Sequence, residues 1–469
     1  MSHSSWRRLG AAIGMTLAIA PAAARDDAEA RILGAALRDD RAHRRLAWLT
    51  DRIGPRLSGS ENLTRAIVWA EEQMRGDGLE RVRTEPVAVP HWERGREIGE
   101  IVSPTRHPLA LLTLGGSVAT AENGVQASVV VADDLEHLAR LGESVRGKIV
   151  LFDKEILRNG GPDGSRGYGS AAALRTRGAS EAARLGAVAS LVRSLGTADY
   201  RLPHTGAMRY EDGVPRIPSA AIAAEDAELI RRLTTAGQDV QVSLTLTPTT
   251  HPDAESANVV GELRGRERPE EIVVLACHLD SWDVGTGAID DGVGCVAVME
   301  ALRILRELEL RPRRTIRAVL FTNEENGLAG AEDYARRHAD ELASHVAAIE
   351  MDSGAGAPLG FGITAGEGAE VALREMAAPL RALGAGDVRK GGGGADISTL
   401  APAGVPQIGL WQDTTTYFDY HHTHADTLDK VDAGALARSV AALALIGYRL
   451  AEAETTLPRI PSKAEGAGN

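Results

Sequence analysis

At 469 residues the chain exceeds what one ordinary hydrophobic core organises, so two domains are the default expectation. Hydrophobic residues at 43% and charged residues at 25% are the proportions of a soluble globular protein, which excludes a disordered or fibrous chain. A formal net charge of -13, with no basic stripe rising above it, excludes a nucleic-acid partner.

The N-terminus reads as a targeting segment. Arg7 and Arg8 form a basic stretch, residues 9–20 a short apolar one, and Pro21-Ala22-Ala23-Ala24 offers an A-x-A cleavage site before Arg25. Residues 1–24 are therefore expected to be a signal peptide, with an apolar stretch too short to cross a bilayer. No later run is long and apolar enough for a membrane helix, so the expectation is an exported protein, periplasmic or extracellular, without a membrane span. The two cysteines, Cys277 and Cys295, are too few for a disulfide scaffold. Export leaves one bridge chemically open, with two buried thiols as the alternative.

Residues 30–53 and 63–74 carry apolar side chains at helical spacing, and Gly76-Asp77-Gly78 stops the second run. Residues 81–89 alternate like a strand. Between the two helical runs, the turn-rich loop 54–60 is a connector that could reach a cleft. From about 100 to 250 the texture changes. Short β-rich runs at 127–131, 148–152, 187–192 and 240–246 surround one Ala-rich helix near 170–185. The His and acidic residues here show no ligand spacing, so this segment reads as a small β-rich insert without chemistry of its own.

From residue 256 onward strands alternate with helices. The strand runs are 272–277, 315–322, 346–351 and 407–411; the helical ones are 293–308, 328–342 and 369–383, with a last apolar helix at 433–451. Such alternation builds an open α/β sheet, mostly parallel, with helices on both faces. Ligand sites in these sheets lie beyond the carboxyl ends of the strands.

The stretch LACHLDSWDVGTGAIDDGVG, residues 275–294, is a strand, a glycine-punctuated loop and a helix start. It directs His278 and Asp290 toward one cleft, and imidazole with carboxylate is ligation that suits zinc. Alone, it reads equally well as a solvated loop. The next strand tips carry Asn323-Glu324-Glu325, then Glu350-Met351-Asp352, then Tyr420-His421-His422 ahead of Asp426-Thr427. Each has an ordinary reading as a helix start, a turn or a polar loop. Together they converge on one sheet edge. Three crowded carboxylates, Asp290, Glu325 and Asp352, resist ionisation unless cations accompany them. Two divalent cations offset those three charges and a hydroxide, which a buried cluster requires.

The order H-x-D, D-D, E-E, lone D and late H before D-T resembles the di-zinc exopeptidases of the aminopeptidase and glutamate carboxypeptidase type, over about residues 30–453. Within that family, LTDRIGPRLSGS from Leu49 and HLDSWDVGTGAIDDGVG from His278 are similar to carboxypeptidase members. The resemblance implies a three-layer zinc-exopeptidase fold with a mostly parallel central sheet. Residues 25–99 and 251–460 would form its catalytic domain, residues 100–250 a β-rich protease-associated insert, and 461–469 a disordered tail. It also implies two zinc ions per chain: His278 and Asp352 on one, Glu325 and His422 on the other, and Asp290 bridging, with a cis Asp290–Asp291 peptide. Asp280 would orient His278 through its second ring nitrogen. Glu324 would be the general base, taking a proton from the attacking water and delivering it to the leaving amine. His421 stands where many relatives carry a tyrosine that donates to the oxyanion, and residues 391–394 with Asp396 resemble a substrate-facing loop. His421 and Asp396 are accordingly the expected substrate contacts. The same relatives suggest a homodimer.

The leading expectation is a secreted zinc peptidase that removes terminal residues from short peptides or splits dipeptides. An aminopeptidase with the same metals differs only in loops that the motifs do not specify. Aminoacylase-like hydrolases share the ligand order but usually carry a lid domain before the last His, for which residues 352–422 leave little room. A receptor-like binding protein on the same fold would have lost a ligand, and this chain retains them all.

Overall fold

The computed structural model describes residues 20–158, 165–198 and 200–461. Most of the expected signal peptide, residues 1–24, and nearly all of the expected tail, 461–469, lie outside the described residues.

One sheet is built from β1 (Glu80–Glu93), β2 (Thr249–Leu263), β3 (Arg268–His278), β4 (Arg314–Phe321), β5 (His345–Glu350), β6 (Pro358–Thr364), β7 (Asp387–Lys390) and β8 (Gln407–Gln412). Their order is β1-β2-β4-β3-β5-β8-β6-β7. The centre, β4-β3-β5-β8, is parallel throughout. Toward the margins β2 pairs antiparallel with both β1 and β4, and β6 antiparallel with β8. The loop 351–357 explains the reversal of β6, because it is too short for the crossover of about a dozen residues that a parallel return needs.

Period-two alternation on β3 splits its side chains between two cores. Val273, Leu275 and Cys277 pack with one cluster. Ile272, Val274 and Ala276 pack with another on the opposite face. The first face is covered by α1 (Ala20–Arg38), α2 (Arg41–Trp48), α3 (Glu61–Gly76), α5 (Val293–Glu307), α7 (Ala369–Ala377) and α8 (Ala433–Glu452), with α6 (Ala329–Arg337) across the sheet. This is the three-layer arrangement. Ser60 caps α3 by accepting from Leu63 N at 3.2 Å, and Asp432 caps α8 by accepting from Ala435 N at 2.7 Å.

Some elements differ from expectation. The single helix anticipated over residues 30–53 is broken between α1 and α2, where Asp39 accepts from Arg41 N at 2.9 Å and so competes with the helical bond pattern. Strands β6 and β7 carry weak β signals because Gly360 and Gly362 interrupt the first. The missing side chain has a purpose: a Cβ on Gly360 would lie 1.9 Å from Asp387 O of the neighbouring strand. Contrary to the sequence expectation, α8 is by length and composition apolar enough to cross a membrane, yet most of it is buried inside the protein. It is the core helix that packs on the sheet beside α5.

A second sheet runs in the order His107–Pro108, Glu97–Ser103, Gln241–Leu246, Val125–Ala132, Ile149–Phe152, Ala189–Arg193, Ser219–Ile222, Leu111–Thr113. Its central strands are parallel. Helix α4 (Tyr168–Arg184) packs on one face and Ala224–Thr235 on the other. This segment is thus more evenly α/β than the β-rich texture implied, because its short strands, buried on both faces, dominate the hydrophobic pattern. Cys277 and Cys295 are free buried thiols with sulfurs 3.2 Å apart.

Candidate metal centre

Strand β3 ends on His278, β4 runs into Glu324 and Glu325, and β5 ends two residues before Asp352. The parallel centre of the sheet therefore delivers these groups to one edge. Asp290 enters from the turn before α5, and His421 and His422 from the short helix that follows β8.

Asp290 is the hub. Its Oδ1 lies 3.2 Å from His278 Nε2, which is also 3.5 Å from Asp352 Oδ1. Its Oδ2 lies 3.2 Å from His422 Nε2, which in turn is 3.0 Å from Glu325 Oε2. Two donor clusters result, His278–Asp290–Asp352 and Asp290–Glu325–His422, each with ligand atoms within 4.8 Å of one another. All five residues anticipated as ligands come together. The Asp290–Asp291 peptide is cis.

The donor set fits a pair of divalent cations on electrostatic grounds. His278 Nδ1 faces Asp280 O at 3.0 Å and His422 Nδ1 faces Thr205 O at 3.3 Å. A ring that donates there is left with a lone pair on Nε2, aimed at carboxylate oxygens that also carry lone pairs. A cation between them resolves that contact, as does a proton on the ring nitrogen. Asp290 Oδ2 is buried against two imidazole nitrogens, His422 Nε2 at 3.2 Å and His421 Nε2 at 3.1 Å. The carboxyls respond to the crowding. Burial, then the neighbouring Asp290, push Glu325 well above the usual carboxylate range. For Glu324, burial, then Asp352 and Glu325, have the same effect against the pull of His278. Burial disfavours a proton on His278, but Asp290 and Asp352 outweigh it and hold its basicity well above normal.

The surrounding polar groups hold the candidate ligands in place. The Asp280 carboxylate accepts from the main-chain amides of Glu324 and Glu325 at 3.1 and 3.3 Å, so it pins the tip of β4. Asp280 meets the second ring nitrogen of His278, Nδ1, through its carbonyl at 3.0 Å, while its carboxylate stays 3.8 Å away. Asp291 accepts from His278 N at 3.2 Å and Gly294 N at 3.0 Å, tying β3 to the start of α5. Asp426 accepts from Ile289 N at 2.7 Å.

The loop 54–60 does not line the cleft but packs behind it. Arg56 is fully buried and donates to the carbonyls of Gly54, Leu279, Thr286 and Gly287 at 2.8–3.0 Å, tying together the loop that carries Asp290. Arg56→Met would strand four carbonyls, each worth about 1–3 kcal/mol when buried and unpaired. Relief of the guanidinium's own desolvation offsets part of this, so a loss of about 3 kcal/mol is expected in urea unfolding, together with weaker zinc retention.

Two expectations are revised. Asp396 is fully buried and does not line the cleft; its neighbour Ile397 donates its amide to Glu350 Oε2 at 2.8 Å. Residues 391–393 line a separate pocket. A glycine-rich run predicts an approachable backbone, but packing put this one against β6 and β8, in a pocket separate from the cleft. The insert expected to lack chemistry forms one wall. Tyr168 and Arg175 of α4 line a cleft of about 310 Å³ with Asp290, Glu324, Asp352 and His422. His204 Nε2 meets His421 Nδ1 at 3.0 Å, and His421 stacks on His422 with ring centres 3.7 Å apart. Burial, then the facing His422, hold His421 at a pKa of about 4, so its ring is neutral. One sequence signal for Arg175 existed: it falls among Ala171, Leu174, Gly178 and Ala182 on the apolar stripe of α4, where a cation rarely sits without a task.

Comparison with known proteins adds the following. The profile of peptidase family M28 matches residues 258–446. Carboxypeptidase Q of Homo sapiens is 40% identical over 420 residues, covering 90% of this chain and 87% of that one. A solved peptidase M28 precursor from Shewanella amazonensis is 39% identical with a TM-score of 0.90, covering 94% of this chain and all of that one. A zinc aminopeptidase from Bacillus subtilis, 21% identical with a TM-score of 0.66, covers 89% of this chain and 97% of its own and shares the fold.

Proposed function

The chain belongs to peptidase family M28, and from that premise we propose that it is an exported di-zinc exopeptidase acting on dipeptides or the ends of short peptides, in the manner of carboxypeptidase Q. The observation that carries this reading is the pair of donor clusters sharing Asp290. His278 and Asp352 would hold one ion, Glu325 and His422 the other, and Asp290 both. Bound, such ions supply Lewis acidity toward a carbonyl and make water acidic enough to react near neutral pH.

The remaining steps belong to the chain. Glu324 opens on the cleft beside Asp352 and Glu325, with its main chain pinned by Asp280. Its carboxylate takes a proton from the attacking water and returns it to the leaving amine. His421 lines the same cleft, but its Nδ1 meets His204 at 3.0 Å and its Nε2 meets Asp290 Oδ2 at 3.1 Å, so in this proposal it positions Asp290. The cleft volume lies at the low end of small-molecule sites, about 300–1,000 Å³, and this favours short substrates over folded proteins. In this proposal residues 1–24 direct export, residues 25–99 and 251–460 form the catalytic domain, and residues 100–250 form the protease-associated insert that closes one side of the cleft.

A panel of dipeptides and tripeptides with free or blocked ends, assayed with and without chelator, tests the proposal. Hydrolysis of peptides with free ends is expected, lost on chelation and restored by zinc, with about two ions per chain by elemental analysis. Undiminished hydrolysis by metal-free protein, or a single ion at full activity, would refute the di-zinc reading.

A further inference from the structure

Arg175 is a buried cation without an anion. It is 9% exposed, and its guanidinium donates only to Tyr168 Oη at 3.1 Å and, at 3.4 Å, to Thr205 O. Its Nε has no acceptor. Other buried arginines of this chain are matched: Arg303 by Glu300, Arg317 by Glu262, Arg193 by Asp153, and Arg56 by four carbonyls. Among the described residues no carboxylate pairs with Arg175, and it is the only Arg or Lys lining the cleft. Removing a charge from water is costly unless a partner meets it. Here the open side faces the cleft.

The position of the guanidinium sets which group it would meet. Thr205 O accepts from both Arg175 and the His422 Nδ1. The other nitrogen of that ring faces Asp290 and Glu325. Arg175 therefore sits about one imidazole ring beyond the donor cluster. One extended residue spans up to about 3.6 Å, so a peptide with its scissile carbonyl beside Glu324 brings the carboxylate of the next residue toward Arg175. Tyr168 Oη accepts from Arg175 and keeps its own proton available for the same carboxylate. Gly206 leaves room for the guanidinium, since a Cβ there would lie 2.4 Å from its Nη1.

We propose that Arg175, assisted by Tyr168, docks the free α-carboxylate of the residue released from the C-terminal end of a short peptide, and so gives the enzyme its requirement for that end. This rests on the peptidase reading above. A planar guanidinium suits a carboxylate by two parallel hydrogen bonds, a geometry lysine does not reproduce.

The test compares alanyl-leucine with alanyl-leucinamide on the zinc-loaded enzyme. The free acid is expected to show a kcat/KM about 100-fold higher, mostly through KM, as befits loss of a charged hydrogen-bonded partner. Arg175→Met should collapse that ratio to within about threefold by weakening the acid alone, and Arg175→Lys should fall between. Zinc content should be unchanged in both variants. A second readout avoids turnover: leucine, and not leucinamide, should raise the unfolding temperature of the wild type, and Arg175→Met should abolish the effect. Equal kcat/KM for acid and amide in the wild type, or discrimination that survives Arg175→Met, would overturn the assignment. So would alanyl-glutamate α-amide cleaved as well as alanyl-leucine, which would move the contact to a side-chain carboxylate. If the zinc-loaded wild type cleaves neither peptide, the peptidase reading fails, and leucine against leucinamide binding alone decides whether Arg175 holds a carboxylate.

Discussion

Glu324→Gln is expected to lower kcat by about 10³-fold or more while zinc stays bound at wild-type stoichiometry. The substitution keeps size and polarity and removes only the ability to take and return a proton. The structure makes this a clean experiment, because Glu324 is fixed to Asp280 through its main-chain amide, which glutamine also has. None of the closest carboxylate–imidazole contacts, His278 with Asp290 and Asp352 or His422 with Asp290 and Glu325, involves the Glu324 side chain. A drop in kcat with unchanged metal and an unchanged unfolding midpoint therefore reports chemistry and not folding. Near-normal turnover would remove Glu324 as the base and direct attention to other titratable groups on the cleft, such as Asp352.

Asp290→Asn is expected to act through the metal. Asp290 Oδ1 faces His278 and Oδ2 faces His421 and His422, so the substitution weakens both clusters at once and leaves the buried site short of one negative charge. Zinc should fall from about two ions per chain to one or none, and activity by about 10³-fold, since the groups that stabilise developing charge are lost with it. Elemental analysis after dialysis and kcat measured in excess zinc separate weak binding from misplacement. Two ions retained at full activity would show that Asp290 is not shared. Asp291→Asn is the informative neighbour. Asp291 ties His278 N to Gly294 N and touches no ligand atom of the clusters, so its loss should lower stability more than metal affinity.

The proposed ligands His278, Asp290, Glu325, Asp352 and His422 were legible in the chain for a local reason. Each lies just past a run of buried strand residues or at a helix start. A parallel sheet brings the carboxyl ends of its strands to one edge whatever the rest of the molecule does. Strands β3, β4, β5 and β8 and helices α5 and α8 were legible for the same reason, as apolar periodicity records burial directly. Strands β6 and β7 were not, because Gly360 and Gly362 trade hydrophobic signal for close backbone approach.

The sequence by itself thus determined the fold class, the chemistry of the donors and the edge at which they meet. Only the tertiary structure decided what surrounds them. It placed Asp396 out of the cleft, made the Asp280 carbonyl the group that meets His278, and brought Tyr168, Arg175 and His204 of the insert against the site. His204 and His421 meet across 217 positions of chain. A contact of that kind leaves no periodicity in either segment, since it depends on how two separately packed sheets face each other.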